Sequence, residues 1–287
     1  MPMVKHSDVE CEKAPRRLAR PRIAVAAEPR YLTQPQPAGL AGALCRAGHP
    51  ATVLDPLDPR TLSLPGIDLL IARGRSPELL DLLDRAECLG IATINKREAI
   101  LSVMDKARMG RALARAGIPI PQTRHDTIAA ILDHSSDQDF PMVVKPIYGD
   151  NARDVKIVRS RDELAALQWS EATALAQPLV ASDGFDLKLY VAGDEVHAAR
   201  KPSPLSATAG LQAQPAPLTP ELTTLALRCG AVFGLDFYGV DCIETPDGVL
   251  VIEVNDFPNY SAVPGADECL ARYAILRARR AQEERGR

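Results

Sequence analysis

No run of apolar residues in this sequence is long enough to cross a bilayer, which excludes a helical membrane span. No CxxC pair or zinc-module spacing links its six cysteines (Cys11, Cys45, Cys88, Cys229, Cys242 and Cys269), so no zinc finger or thioredoxin-like motif is written in the chain. Thiols scattered in this way suit a reducing compartment and predict a cytoplasmic protein. The GxGxxG fingerprint of dinucleotide-binding folds is missing. Aromatics amount to only 4%. There is no excess of positive charge, because 34 Lys and Arg face 37 Asp and Glu for a net charge of -3. That balance argues against nucleic acid as a main partner, since phosphate backbones select a basic footprint. The first twenty residues mix both signs of charge and lack an apolar stretch, so they read as a mobile extension rather than a secretory signal.

What remains is an ordinary globular composition, 46% hydrophobic and 25% charged, over 287 residues, enough for two or three subdomains. From Arg22 to Ile94, short apolar runs (22–27, 51–54, 68–72, 90–94) alternate with helical patterns (37–48, 77–86). Such alternation predicts a small parallel α/β domain. Two helices follow over 96–117, stopped by Gly117 and Pro119. Asp126 is expected to cap a helix to about Asp133, and a further helix is expected over Arg161–Trp169. Strands are expected at 140–145, 155–158, 175–180, 185–192, 196–201, 236–243 and 249–254. The segment 202–220, rich in Pro, Ser, Ala and Gln, reads as a loop able to close over a site. A last helix is expected over 267–280, fraying into a charged tail.

The residues with chemistry concentrate in the second half. Asp241 and Glu253 sit inside apolar strands, where a carboxylate is costly unless it is paired or bound to metal. Asn255, two residues beyond Glu253, shares its face. Three oxygen ligands of this kind suit magnesium together with phosphate oxygens; the alternative is a pair of acids bridged to lysines. Lys145 ends an apolar strand and points either at an anion or to solvent. Lys106 on its helix, and Lys188 and Lys201 on neighbouring strands, are ambiguous when each is read alone. The loop Tyr148-Gly-Asp-Asn-Ala-Arg-Asp154 can cradle phosphate through backbone N–H groups and Arg153.

In this order the motifs resemble the ATP-grasp superfamily, in particular RimK-like amino-acid ligases, over roughly residues 95–266. The carrying elements are Asp105-Lys106 with Gly117-Ile-Pro-Ile-Pro121, Phe140-Pro-Met-Val-Val-Lys-Pro146, Gln177-Pro-Leu-Val180, Asp186-Leu-Lys188, Gly239-Val-Asp241 and Glu253-Val-Asn255. The resemblance implies an ATP-grasp fold, two α+β subdomains (95–180 and 181–280) clamping ATP, preceded by the α/β domain at 21–94, with extension 1–20 and tail 281–287. It implies ATP-binding roles for Lys106, Lys145, Gly149, Gln177, Leu179, Val180 and Asp186. It further implies magnesium or manganese on Asp241, Glu253 and Asn255, and catalytic roles for Lys188, Arg153 and Lys201. Arg73, Arg75 or Lys201 are the candidates for holding a substrate carboxylate. The implied activity is ligation of a small-molecule carboxylate to an amine through an acyl phosphate, in a protein that is often a homo-oligomer. Two departures stand out: the phosphate loop has one glycine where the family has several, and Pro178 replaces a frequent Glu. The stretches 188–205 and 255–260 also resemble ATP-grasp inositol polyphosphate kinases, so a small-molecule kinase and a degenerate nucleotide-binding protein remain as alternatives.

Overall fold

The computed structural model describes residues 19–149, 152–206 and 211–286. The first domain contains β1 (Ile23–Ala27), α1 (Pro35–Arg46), β2 (Ala51–Leu54), β3 (Leu69–Arg73), α2 (Pro77–Cys88) and β4 (Ala92–Ile94). Its strands form a parallel sheet in the order β2-β1-β3-β4. The two central strands are buried at every residue, which explains their unbroken apolar sequences. Ser76 caps α2 by accepting from the Leu79 amide at 3.3 Å, and Pro77 fills the first helical position. Before that cap the Glu28 carboxylate accepts from the amides of Arg75 and Ser76. Gly74 is required there: its φ is 128°, and a Cβ would lie 2.3 Å from Glu28 Oε1.

Two helices, α3 (Arg97–Met104) and α4 (Lys106–Arg115), lead into the second unit, with α4 capped by Asp105 on the Arg108 amide at 2.8 Å. That unit holds β5 (Arg124–Asp126), α5 (Ile128–Asp133), β6 (Met142–Lys145), β7 (Lys156–Val158), α6 (Arg161–Ala165) and β8 (Ala174–Pro178). Its antiparallel sheet runs β5-β8-β6-β7. The third unit holds β9 (Phe185–Ala192), β10 (Glu195–Pro202), β11 (Gln214–Pro215), α7 (Pro220–Phe233), β12 (Phe237–Thr245), β13 (Gly248–Asp256) and α8 (Ala266–Arg285). Its antiparallel sheet runs β11-β10-β9-β12-β13.

Four local expectations are corrected. Thr127, not Asp126, caps α5, accepting from the Ala130 amide at 3.1 Å while Asp126 takes the Thr127 amide. Helix α6 stops at Ala165, and Trp169 beyond it turns its indole N–H to the Thr173 carbonyl at 3.1 Å and packs on the core of the second unit. Inside the segment 202–220, Gln214–Pro215 pairs with Ala199 and Arg200 as β11. Helix α8 does not fray at 280 but continues to Arg285, because Ala278 and Ala281 are buried and Gln282 and Arg285 both bind Asp68. Residues 1–18, most of the expected extension, lie outside the described residues; Arg20 donates to the Gly48 carbonyl at 3.1 Å.

The first and third units share one core. Ile23, Val25 and Ile71 of the parallel sheet pack with Tyr190, Phe237, Tyr260 and the buried face of α8. Asn95, fully buried after β4, locks this junction: its side chain donates to the Phe237 carbonyl at 2.7 Å and accepts from the Asp236 and Phe237 amides at 2.7 and 2.9 Å. Truncation strands three backbone groups, two of them buried, so Asn95→Ala is expected to lower the unfolding free energy by about 3 kcal/mol. Urea unfolding of the nucleotide-free protein measures this; a loss within experimental error would remove Asn95 from the joint.

Candidate active site

The site lies where β9, β12 and β13 run side by side. Cross-strand register sets Asp241 opposite both Lys188 of β9 and Glu253 of β13. Directly opposed residues on paired strands share a face, so the three side chains form one row. Asn255 lies one step along the same face of β13. A bulge between Asp241 and Cys242 leaves Ile252 without a partner residue on β12. Gly239 faces Asn255 in the register, and a Cβ there would sit 3.0 Å from Pro258 and 3.4 Å from Lys188, so glycine keeps this floor clear.

The ion pairs are specific. Lys188 Nζ lies 2.8 Å from Asp241 Oδ1, and Asn255 Nδ2 donates to Asp241 Oδ2 at 2.9 Å. Lys106 Nζ lies 2.8 Å from Glu253 Oε1 and donates to the Gly149 carbonyl at 2.6 Å. Each acid therefore already holds a cation, which is one of the two readings open at the sequence level. Burial pulls the Lys188 pKa down, but Asp241 with Tyr190 and Glu253 outweighs it, and the net direction is up. Lys145 is different. It is 7% exposed, and no carboxylate lies within ion-pair distance among the described residues. Burial drives its pKa from 10.5 down to about 8, with Glu253 opposing and Lys106 adding to the fall. Lys201 sits opposite Asp186 and is lowered by burial and by Lys188. Asp186, bonded to Ser203, is raised by burial.

Lys106, Lys145 and Gln177 line a narrow cavity between the second and third units, walled by Met109, Leu175 and Ile252. Gln177 donates to Thr123 Oγ1 at 2.8 Å. Apolar walls with cations at one end are the layout of a nucleotide pocket.

Several expected residues fall elsewhere or are engaged. The Leu179 amide donates to the Pro141 carbonyl at 2.9 Å, so its N–H is not available to an adenine edge; the Val180 N–H has no protein acceptor among the described residues. Arg153 is exposed and makes no hydrogen bond or ion pair among the described residues, so no contact joins it to the cluster; its neighbours 150 and 151 lie outside the described residues. Arg73 is not free for a substrate. It is 2% exposed and donates to the Phe257 and Pro258 carbonyls at 2.6 and 2.8 Å and to Gln34 at 2.6 Å. Arg75 pairs with the buried Asp256 at 2.7 Å and reaches Asn255 Oδ1 at 3.4 Å, which makes it a brace behind the acids. The sequence reading missed Asp256 and Ile252. Asp256 had a signal, a second carboxylate on the strand of Glu253; Ile252 had none, because the bulge depends on strand register.

Residues 103–266 match the RimK-like ATP-grasp domain, more than half of the chain, and the chain belongs to that family. It is similar to a probable alpha-L-glutamate ligase 1 of Hahella chejuensis, at 30% identity over 71% of this chain and 72% of the relative. A probable alpha-L-glutamate ligase 1 of Shewanella amazonensis is 28% identical over 64% of this chain, and the match spans 65% of that relative, just under two thirds of its length. The crystal structure of a RimK domain ATP-grasp protein from Sphaerobacter thermophilus superposes with a TM-score of 0.72 at 23% identity, covering 89% of this chain and 98% of that one. The fold is thus ATP-grasp with an N-terminal parallel-sheet domain.

Proposed function

We propose that the chain is an ADP-forming carboxylate–amine ligase that uses ATP and Mg2+, or Mn2+, and passes an acyl phosphate to an amine. The observation that carries this reading is the row Lys188–Asp241–Glu253–Lys106, set beside Lys145 at the cavity, which has no ion-pair partner among the described residues. The donor set fits the metal: Asp241, Glu253 and the Asn255 oxygen are hard ligands, and the acids hold lysine ammoniums in the position a cation prefers. When bound, the metal neutralises charge on the terminal phosphates. Lys106 and Lys188 exchange a carboxylate partner for a phosphate oxygen, and Lys145 gains a counter-charge it lacks. Lys201, half-buried and cationic, holds the substrate anion. Val180 offers its N–H, and Gln177 its carbonyl, to the base.

The substrate carboxylate oxygen attacks the γ-phosphorus and ADP departs. The amine nitrogen then attacks the acyl carbon, phosphate leaves, and the amine gives up a proton. The protein supplies no nucleophile; its part is positioning and fixed charge. The relatives' names make glutamate the first amine to try.

The test is magnesium–ATP turnover with pooled amino acids and small carboxylates, reading ADP and product masses together. The expected product has the mass of two substrates less water, and ADP release requires both. A phosphorylated alcohol would instead assign the kinase reading.

A further inference from the structure

A second group of metal-ligating side chains lies away from this row. Glu195 and His197 alternate on β10 and so share a face, and Cys269 meets them from the first turn of α8. His197 Nε2 is 3.0 Å from Glu195 Oε1 and 4.0 Å from Cys269 Sγ, and the three donor atoms all lie within 4.8 Å of one another. In the strand register Glu195 faces Ala192, four residues along β9 from Lys188, about 13 Å at strand rise. The cluster is therefore separate from Asp241, Glu253 and Asn255.

We propose that Glu195, His197 and Cys269 form a site for Zn2+ or a cation of the same ligand preference. Carboxylate, imidazole and thiolate are the three side chains that bind zinc, and tetrahedral zinc spaces such donors about 3.4–3.6 Å apart. The observed 3.0 and 4.0 Å bracket that spacing, so small rotamer changes suffice. His197 Nε2 faces both other donors, Glu195 Oε1 and Cys269 Sγ, so one cation at the shared point meets all three. Arg272 holds the other oxygen of Glu195, Oε2, at 2.7 Å, which leaves Oε1 aimed at the cluster. Outer partners of this kind fix ligand orientation in metal sites. Burial and Glu195 push the Cys269 thiol up to about 12, so the metal binds by displacing its proton. Three protein ligands leave one position for water. The site joins β10, which carries Lys201 at its other end, to the helix packed on the N-terminal sheet, so the bound metal acts as a staple between sheet and helix.

Cobalt(II) is the probe, because thiolate ligation gives it a charge-transfer absorption that the all-oxygen row at Asp241 does not. The full chain, chelator-treated and kept reduced, is titrated with Co2+. The expected result is a thiolate band that saturates at one metal per chain, is displaced by Zn2+, survives substitution of the exposed Cys45 and Cys88, and is lost in Cys269→Ser. Absence of the band in the unaltered protein, or its persistence in Cys269→Ser, overturns the proposal. His197→Ala provides a second measure should Cys269→Ser not fold: Co2+ affinity is expected to fall at least about tenfold, and unchanged affinity would contradict the assignment.

Discussion

Replacing Lys145 with methionine is expected to stabilise the nucleotide-free protein while removing much of its affinity for ATP. Among the described residues the lysine is buried without a carboxylate within ion-pair distance, and its pKa falls from 10.5 to about 8. That fall corresponds to about 3 kcal/mol of unfavourable interaction for the charged form. Methionine keeps the length and removes the charge, so a gain of about 1–3 kcal/mol is expected near neutral pH. The folded pKa lies below the unfolded one, so the unfolded chain binds more protons between them. The penalty is fully present below about pH 8 and disappears as pH rises toward 10.5. The advantage of Lys145→Met therefore shrinks across that window. ATP affinity is expected to fall about 10- to 100-fold, the worth of one charged hydrogen bond. Urea unfolding on both sides of the window, with calorimetric ATP titration, reads both effects. A destabilised variant that binds ATP normally would show that Lys145 is a structural cation. The trade is the usual one at a site that waits for its ligand.

Asp241→Asn is expected to act in the opposite direction on stability and still more strongly on turnover. The substitution removes the counter-charge of Lys188 at 2.8 Å. Both side chains keep some contact with solvent, so the loss is set at about 2 kcal/mol, below that of a fully buried pair. Turnover loses a metal ligand worth several kcal/mol at the transferring phosphate, about 4 kcal/mol or a thousandfold. Circular dichroism with ADP release at saturating magnesium checks the pair of effects. Full activity in a folded variant would take the metal away from this row.

The contrast between Lys145 and Lys188 also explains what was readable in the sequence. Asp241 and Glu253 were visible because an acid in an apolar strand is expensive and demands a reason. Lys145 was visible only as one of two readings, since a lysine at a strand end is as easily solvated as buried. That Lys188 faces Asp241, and Lys106 faces Glu253, was not visible, because it depends on register and on how α4 docks against β13. The parallel sheet of the first domain followed from the alternation of short apolar runs with helical patterns. Its joint with the third unit did not, because Asn95 makes backbone contacts that carry no pattern. Arg73 illustrates the same limit: an arginine closing an apolar strand looked available to substrate, yet it is buried against the Phe257 and Pro258 carbonyls. Helix α8 outran its expected end for a similar reason, since Asp68, distant in sequence, receives Gln282 and Arg285.

Transfer of the carboxylate oxygen tests the acyl-phosphate claim most directly. The carboxylate substrate found in the pooled assay is labelled with heavy oxygen and turned over with ATP, magnesium and its amine, and the released phosphate is weighed. One labelled oxygen per ADP formed is expected, because the carboxylate oxygen that bonds phosphorus in activation leaves with the phosphate when the amine breaks its bond to the acyl carbon. Unlabelled phosphate, or phosphate retained on the organic product, would contradict ligation at this site.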